Sequence, residues 1–167
     1  MIRLIIKYGI MFISLILVQV LILNQVQFNG YVNPYVYILF ILLLPLSTPR
    51  YLLMILAFLL GLIVDIFLNS LGVHAAASVF IAYIRPFIIR VISNREEDRS
   101  DYPGLLQNSF GWFFAYASIM VFLHHLVLFY LEVFSFSHFF VTLGRTIISS
   151  FFSIFIIVLS QFLVFRD

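Results

Sequence analysis

The chain has 167 residues, of which 64% are hydrophobic and 10% are charged, and its mean hydropathy is +1.17. A soluble domain is about half apolar and about a quarter charged, so this composition excludes an ordinary soluble protein and indicates an integral membrane protein. The formal net charge of +2 is too small to favour nucleic acid as a partner, and the absence of cysteine excludes disulfides and thiol chemistry.

Six apolar runs follow one another along the chain, separated by polar or proline-containing stretches. They cover residues 4–23, 34–46, 51–68, 73–92, 111–130 and 143–165. A transmembrane helix needs about 20 apolar residues, and the second run is short and ends at Pro45. The sequence therefore predicts one all-α transmembrane domain over residues 1–167, a six-helix bundle whose second span is the weakest and could enter the bilayer only halfway.

Lysine and arginine predict the orientation of this bundle. With the N-terminus inside, the three outer loops hold no Lys or Arg. The inner segments hold Arg3, Lys7, Arg50, Arg90, Arg95, Arg99 and Arg166. Both termini are therefore expected in the cytoplasm. The mixed-charge loop over residues 93–107 is interpreted as a solvated cytoplasmic loop, with the docking of a cytoplasmic partner as the alternative.

Two ionisable residues lie within the third and fourth runs, where a charge is costly in lipid. Asp65 shares one helix face with Gly61 and Ala57, at spacings of four. Arg85 shares a face with three small residues, Ala75, Ser78 and Ala82. Small residues let helices approach closely. This pattern predicts that Gly61 packs against the fourth or the sixth span.

Counting about 1.5 Å per helical residue places Asp65 and Arg145 at similar depth, which predicts a buried ion pair between them. Arg85 is the less favoured partner. Because Pro86 is expected to kink the fourth span, Arg85 is also expected to reach toward the inner headgroups. In the alternative, both arginines extend to the interfaces and Asp65 is merely hydrogen-bonded.

The remaining polar residues suggest packing rather than chemistry. No nucleophile motif or phosphate-binding loop occurs, so the protein is not expected to be an enzyme. His124 and His125 with Glu132 invite a metal interpretation, but no standard ligand spacing occurs and no metal or cofactor is predicted. His74 is expected at the surface. Small or polar stripes are expected to pack helices in the fifth run (Gly111, Ala115, Ser118, His125, Glu132) and the sixth (Arg145, Ser149, Ser153, Ser160).

The run GLIVDIFLNSLGVHAAASVFIAYIRP, residues 61–86, resembles the signature of MreD, the rod shape-determining membrane protein family. The shared pattern is a Gly and an Asp in one span, a Leu-Gly turn, an Ala-rich helix start, and an Ala-Tyr followed by an Arg-Pro. Here these are Gly61, Asp65, Leu71-Gly72, Ala75 to Ala77, Ala82-Tyr83 and Arg85-Pro86. The abundance of Phe and Tyr is similar to that of Bacteroidetes members.

The resemblance implies a non-enzymatic scaffold of the cell-elongation machinery in the bacterial inner membrane. Such a protein would bind MreC and help couple MreB filaments to the peptidoglycan synthases RodA and PBP2, and so control cell shape. It also implies a fold similar to the substrate-binding subunits of energy-coupling-factor transporters. The alternative function is therefore a membrane subunit that binds a small, vitamin-type molecule. The short outer loops favour the scaffold.

Three points stay open at this stage. The residues do not show which surface would meet MreC or whether the chain forms a homodimer. They also leave open whether a lipid or another ligand fills a pocket within the membrane.

Overall fold

The computed structural model describes residues 2–25, 32–93, 101–134 and 138–163. Its long helices are α1 (Ile2–Leu21), α3 (Arg50–Leu68), α4 (Val73–Ile92), α5 (Phe110–Val133) and α6 (Phe139–Leu163), and the short helix α2 covers Leu39–Leu43. A 3-10 turn over Leu23–Gln25 follows α1. The all-α prediction is confirmed for these parts of the chain.

Within the described ranges, five helices are long and apolar enough to cross a membrane. Their mean hydropathies lie between 1.7 and 2.7 over 18-residue windows, and each has 19 residues or more. The chain is therefore a helical membrane protein, as its composition predicts. Residues 94–100 of the predicted cytoplasmic loop and the C-terminal Arg166 lie outside the described residues.

The long helices pack in chain order, α3 on α4, α4 on α5 and α5 on α6, and α1 packs on α3. The helices of the pairs α3–α4, α4–α5 and α5–α6 are antiparallel. The indole Nε1 of Trp112, at the start of α5, donates to Ser93 Oγ at the end of α4 (3.1 Å). We call the end of the bundle with the α3–α4 turn the turn end, and the opposite end, where Pro45 and Pro49 lie, the proline end.

The second predicted span is not a spanning helix. Only Leu39–Leu43 are helical, a length of about 7.5 Å. Leu44 has an extended ψ of 145°, since Pro45 disfavours helical geometry in the residue before it. In place of the six predicted spanning helices, the described residues form five long helices and one broken segment. We call residues 32–46 the central segment.

The central segment nevertheless crosses the bundle. Near the turn end, the Gln19 side chain of α1 donates to Pro34 O (3.2 Å) and accepts from Val36 N (2.9 Å). Near the proline end, the Tyr8 hydroxyl of α1 donates to Leu43 O (3.4 Å). Residues 37–42 are at most 2% exposed, so this segment is the core of the molecule.

Candidate functional site: the buried polar groups around the central segment

Asp65 caps the N-terminus of α4. Its carboxylate accepts from the backbone N–H groups of His74 (3.1 Å) and Ala75 (2.9 Å), and from the hydroxyl of Ser70. Gly72 occupies the N-cap position with φ 83° and has no side chain to fill that role. The positive end of the α4 dipole thus stabilises a carboxylate that is only 2% exposed.

The third helix also makes its closest approach here. A Cβ on Gly61 would lie 2.5 Å from Ala75 Cα and 2.5 Å from His74 O, both backbone atoms of α4. The predicted packing of Gly61 against the fourth span is confirmed. The small residues predicted to line both helices are all buried, and Ala57 and Ser78 are fully so.

The predicted ion pair between Asp65 and Arg145 is wrong. Asp65 Oδ1 instead lies 2.9 Å from His74 Nδ1, and Arg145 Nη1 lies 3.0 Å from Glu132 Oε2. The rise per residue gave Asp65 and Arg145 similar depths in the membrane, but it gave no information on which helices are neighbours in the bundle. Because α4 and α5 lie between α3 and α6, an arginine on α6 meets α5 first.

Arg145 joins three parts of the turn end. Its guanidinium lies 4.2 Å from the ring centroid of Phe129, a cation–π contact that adds to the Glu132 pair. The side-chain amide of Asn33 is oriented so that both its nitrogen and its oxygen have hydrogen-bond partners. In this orientation the oxygen accepts from Arg145 Nη2 at 2.9 Å. Arg145 therefore ties α5 and α6 to the start of the central segment.

Arg85 holds the other end of the central segment and does not extend to the headgroups. It is 2% exposed, which corrects that expectation. Its Nη2 donates to the carbonyls of Leu44 and Leu42, and its Nε donates to the Tyr116 hydroxyl (2.9 Å). Tyr116 in turn donates to Leu42 O (3.1 Å). No carboxylate of the described residues pairs with Arg85; the unpaired carbonyls at the end of α2 receive its donors.

Three histidines and two tyrosines form a buried cluster between α4, α5 and the central segment. The Tyr37 hydroxyl lies 2.8 Å from His124 Nε2, and the rings of Tyr35 and His74 are 5.2 Å apart. His74 is 4% exposed, so the expectation of a surface histidine is wrong. The turn places His74 beside Asp65, which the sequence pattern did not signal.

His125 belongs to a chain of hydrogen bonds that runs from the Val121 carbonyl, which can only accept, to the Tyr35 N–H, which can only donate. These two groups determine which atom donates in each bond. Its Nδ1 donates to Val121 O (2.8 Å), so in the neutral ring Nε2 accepts from Ser153 Oγ (3.1 Å). Ser153 Oγ also accepts from Tyr35 N (2.9 Å). The predicted role of Ser153 and Ser149 in packing α6 is confirmed, since both are fully buried.

The stripe predicted on α5 is wrong at Gly111, whereas Glu132 at the other end contacts α6 through Arg145. Gly111 is exposed, and the Glu132 side chain is 46% exposed. The face that packs inward instead carries bulky residues between these ends, among them Tyr116 and His124. In the described parts of the chain, no three His, Asp or Glu side chains are placed to hold a metal ion.

A small cavity opens beside this cluster at the turn end. It has a volume of about 20 Å³ and is lined by Leu23, Asn24, Asn33, Pro34, Tyr35 and Leu68. That volume accommodates about one water molecule. A vitamin-sized ligand needs a pocket of about 300 Å³ or more.

Comparison of the chain with protein-family models, with curated proteins and with solved structures finds no match. The assignment to the class of helical membrane proteins rests on the long apolar helices and the composition.

Proposed function

We propose that this protein is a non-enzymatic scaffold of the MreD type in the bacterial inner membrane. The observation that supports a scaffold is the filled interior of the bundle. Residues 37–42 of the central segment are at most 2% exposed and occupy the space that a small ligand would need. A bundle so filled is suited to presenting its outer surface to other membrane proteins.

The residues that resemble the MreD signature form one structural unit, which also supports the proposal. Gly61 permits the contact of α3 with α4, and Asp65 caps α4. Arg85 fixes the end of the central segment. In this proposal the unit sets the shape of the bundle, and the protein binds MreC and helps couple MreB filaments to RodA and PBP2.

The alternative is a small-molecule-binding transport subunit. It draws on two buried imidazole nitrogens, His74 Nε2 and His124 Nδ1, which have no hydrogen-bond partner within the described residues. Both belong to the cluster beside the small cavity, where a ligand would have to displace side chains to enter. We favour the scaffold because that space is occupied.

A pull-down from native membranes in mild detergent separates the two functions. We expect MreC and wall synthases to elute with the tagged protein. The Gly61→Leu variant, which cannot pack α3 on α4, serves as the control in the same pull-down. It should lose MreC and the wall synthases. Recovery of an ATPase module without MreC would contradict the scaffold and support transport.

A further inference from the structure

The outward face of α4 carries a regular exposed stripe. Exposed residues recur along it at spacings of four and three, at Ala76, Phe80, Tyr83 and Phe87. This alternation is the seven-residue pattern by which two helices pack in a left-handed pair. Tyr83 is 70% exposed and Phe87 is 66% exposed, so the stripe has no neighbour within the chain as described.

Tyr83 is unsuited to lipid at its position. It is the eleventh of the 20 residues of α4, about 15 Å from the start of the helix. That is the middle of a hydrocarbon core about 30 Å thick. Lipid-facing tyrosines collect at the interfaces, where the hydroxyl reaches headgroups or water. In the middle of the bilayer the hydroxyl has no lipid partner, and an unmade hydrogen bond is costly there.

Other exposed positions in the middle of the long helices do not raise this problem. On α3 and α6 they are Leu, Ile and Phe, such as Phe58 and Phe155. Ser14 on α1 is exposed, but a serine hydroxyl can bond to a carbonyl in the preceding turn of its own helix. A tyrosine hydroxyl is too far from its own backbone for that. Tyr83 therefore requires a polar group from another polypeptide.

We propose that α4 is the contact face of a homodimer, in which α4 pairs with α4 of a second copy and the two Tyr83 hydroxyls bond to each other. Two copies inserted in the same direction are related by an axis normal to the membrane, so each residue near that axis meets its own mate at the same depth. A tyrosine hydroxyl both donates and accepts, so two Tyr83 side chains satisfy each other. Any other partner helix would have to present an acceptor at that depth.

Cysteine cross-linking tests this dimer, and the chain has no cysteine of its own. Phe87→Cys places a thiol on the stripe and leaves Tyr83 in place. Phe155→Cys on α6 is the matched control, since the two phenylalanines are 66% and 61% exposed. After oxidation in native membranes, we expect Phe87→Cys to give a species of twice the 19.4 kDa chain mass. Phe155→Cys should remain monomeric.

A second substitution tests the hydroxyl itself. Tyr83→Phe in the Phe87→Cys background keeps the ring and should lower the dimerisation constant about three- to twenty-fold, the range for one interhelical hydrogen bond in a membrane. Equal cross-linking of Phe87→Cys and Phe155→Cys, or none at Phe87→Cys, would overturn the proposal. So would a cross-linked product whose mass requires a different protein. The inference does not rest on the scaffold function, because the readout needs no MreC.

Discussion

At the scale of single residues, the buried charges are neutralised locally. Asp65 binds the first turn of the helix that follows it, and Arg85 binds carbonyls that the short helix α2 leaves free. Neither needs an opposite charge on a distant helix. The N-terminus of a helix carries a positive partial charge and the C-terminus a negative one. At both sites the partial charge is opposite in sign to the charge of the side chain.

The Asp65 site predicts how two substitutions combine. Asp65→Ala should destabilise the protein by about 0.5–2 kcal/mol, because it removes the N-cap of α4. Arg145→Ala should cost separately, through the loss of Glu132 and Asn33. Since no ion pair or hydrogen bond of the described residues joins Asp65 to Arg145, the losses should add to within about 0.5 kcal/mol in thermal unfolding of the single and double variants. If the double variant loses less stability than the two single variants together, the result would contradict this and support a direct ion pair between Asp65 and Arg145.

Sequence reasoning located these residues but not their partners. Helical spacing correctly put Asp65, Gly61 and Arg85 on buried faces, since the faces follow from periodicity. A rise per residue gives depth only, so it could not show that Arg145 meets Glu132 instead. His74 was wrongly predicted at the surface, because its burial depends on how a four-residue turn folds back over Asp65.

At the scale of elements, the α3–α4 hairpin was the most predictable part of the chain. Two helices joined by the short turn around Asn69 and Gly72 must pack as neighbours, so a stripe of small residues on each identifies the contact. The central segment was the least predictable. Its backbone N–H groups bind Gln19, Ser149 and Ser153, and the two serines lie more than 110 residues away in sequence. Hydropathy alone cannot separate a spanning helix from a buried segment of this kind.

The hairpin predicts opposite effects for two glycine substitutions. Gly61→Ala places a Cβ 2.5 Å from backbone atoms of α4, which cannot move aside as a side chain would. We expect a loss of about 1–3 kcal/mol from the overpacked contact. Gly144→Ala on α6 has no atom within 4 Å of its Cβ and should be neutral or stabilise by up to about 1 kcal/mol. Thermal stability in detergent measures both, and equal tolerance would mean that the hairpin is looser than described.

At the scale of the whole molecule, the long helices surround a core segment that is helical only over Leu39–Leu43. Unsatisfied backbone groups are not tolerated in lipid, and here α1, α4, α5 and α6 each supply side chains to satisfy them. The composition predicted the membrane class. It could not predict this arrangement, because a buried broken segment and a lipid-facing helix are equally apolar.

The orientation of the bundle remains a prediction. The charge asymmetry predicts that both termini lie in the cytoplasm, and this prediction requires the central segment to cross the bundle once, as it does. A fluorescent reporter fused after Asp167 should fold and emit in the cytoplasm. A secretion-dependent phosphatase fused at the same point should stay inactive; its activity would reject the orientation.

The central segment also constrains the order of membrane biogenesis. Residues 32–36 are poorly suited to lipid alone, because the backbone N–H groups of Asn33, Tyr35 and Val36 donate to side chains of other helices. Two of those partners, Ser149 and Ser153, lie on α6, which leaves the ribosome after α1 to α5. The hydrogen bonds that satisfy these backbone groups therefore form only once α6 is in place. A fragment that ends before α6 would contain the central segment without the hydroxyls that bind Asn33 N and Tyr35 N.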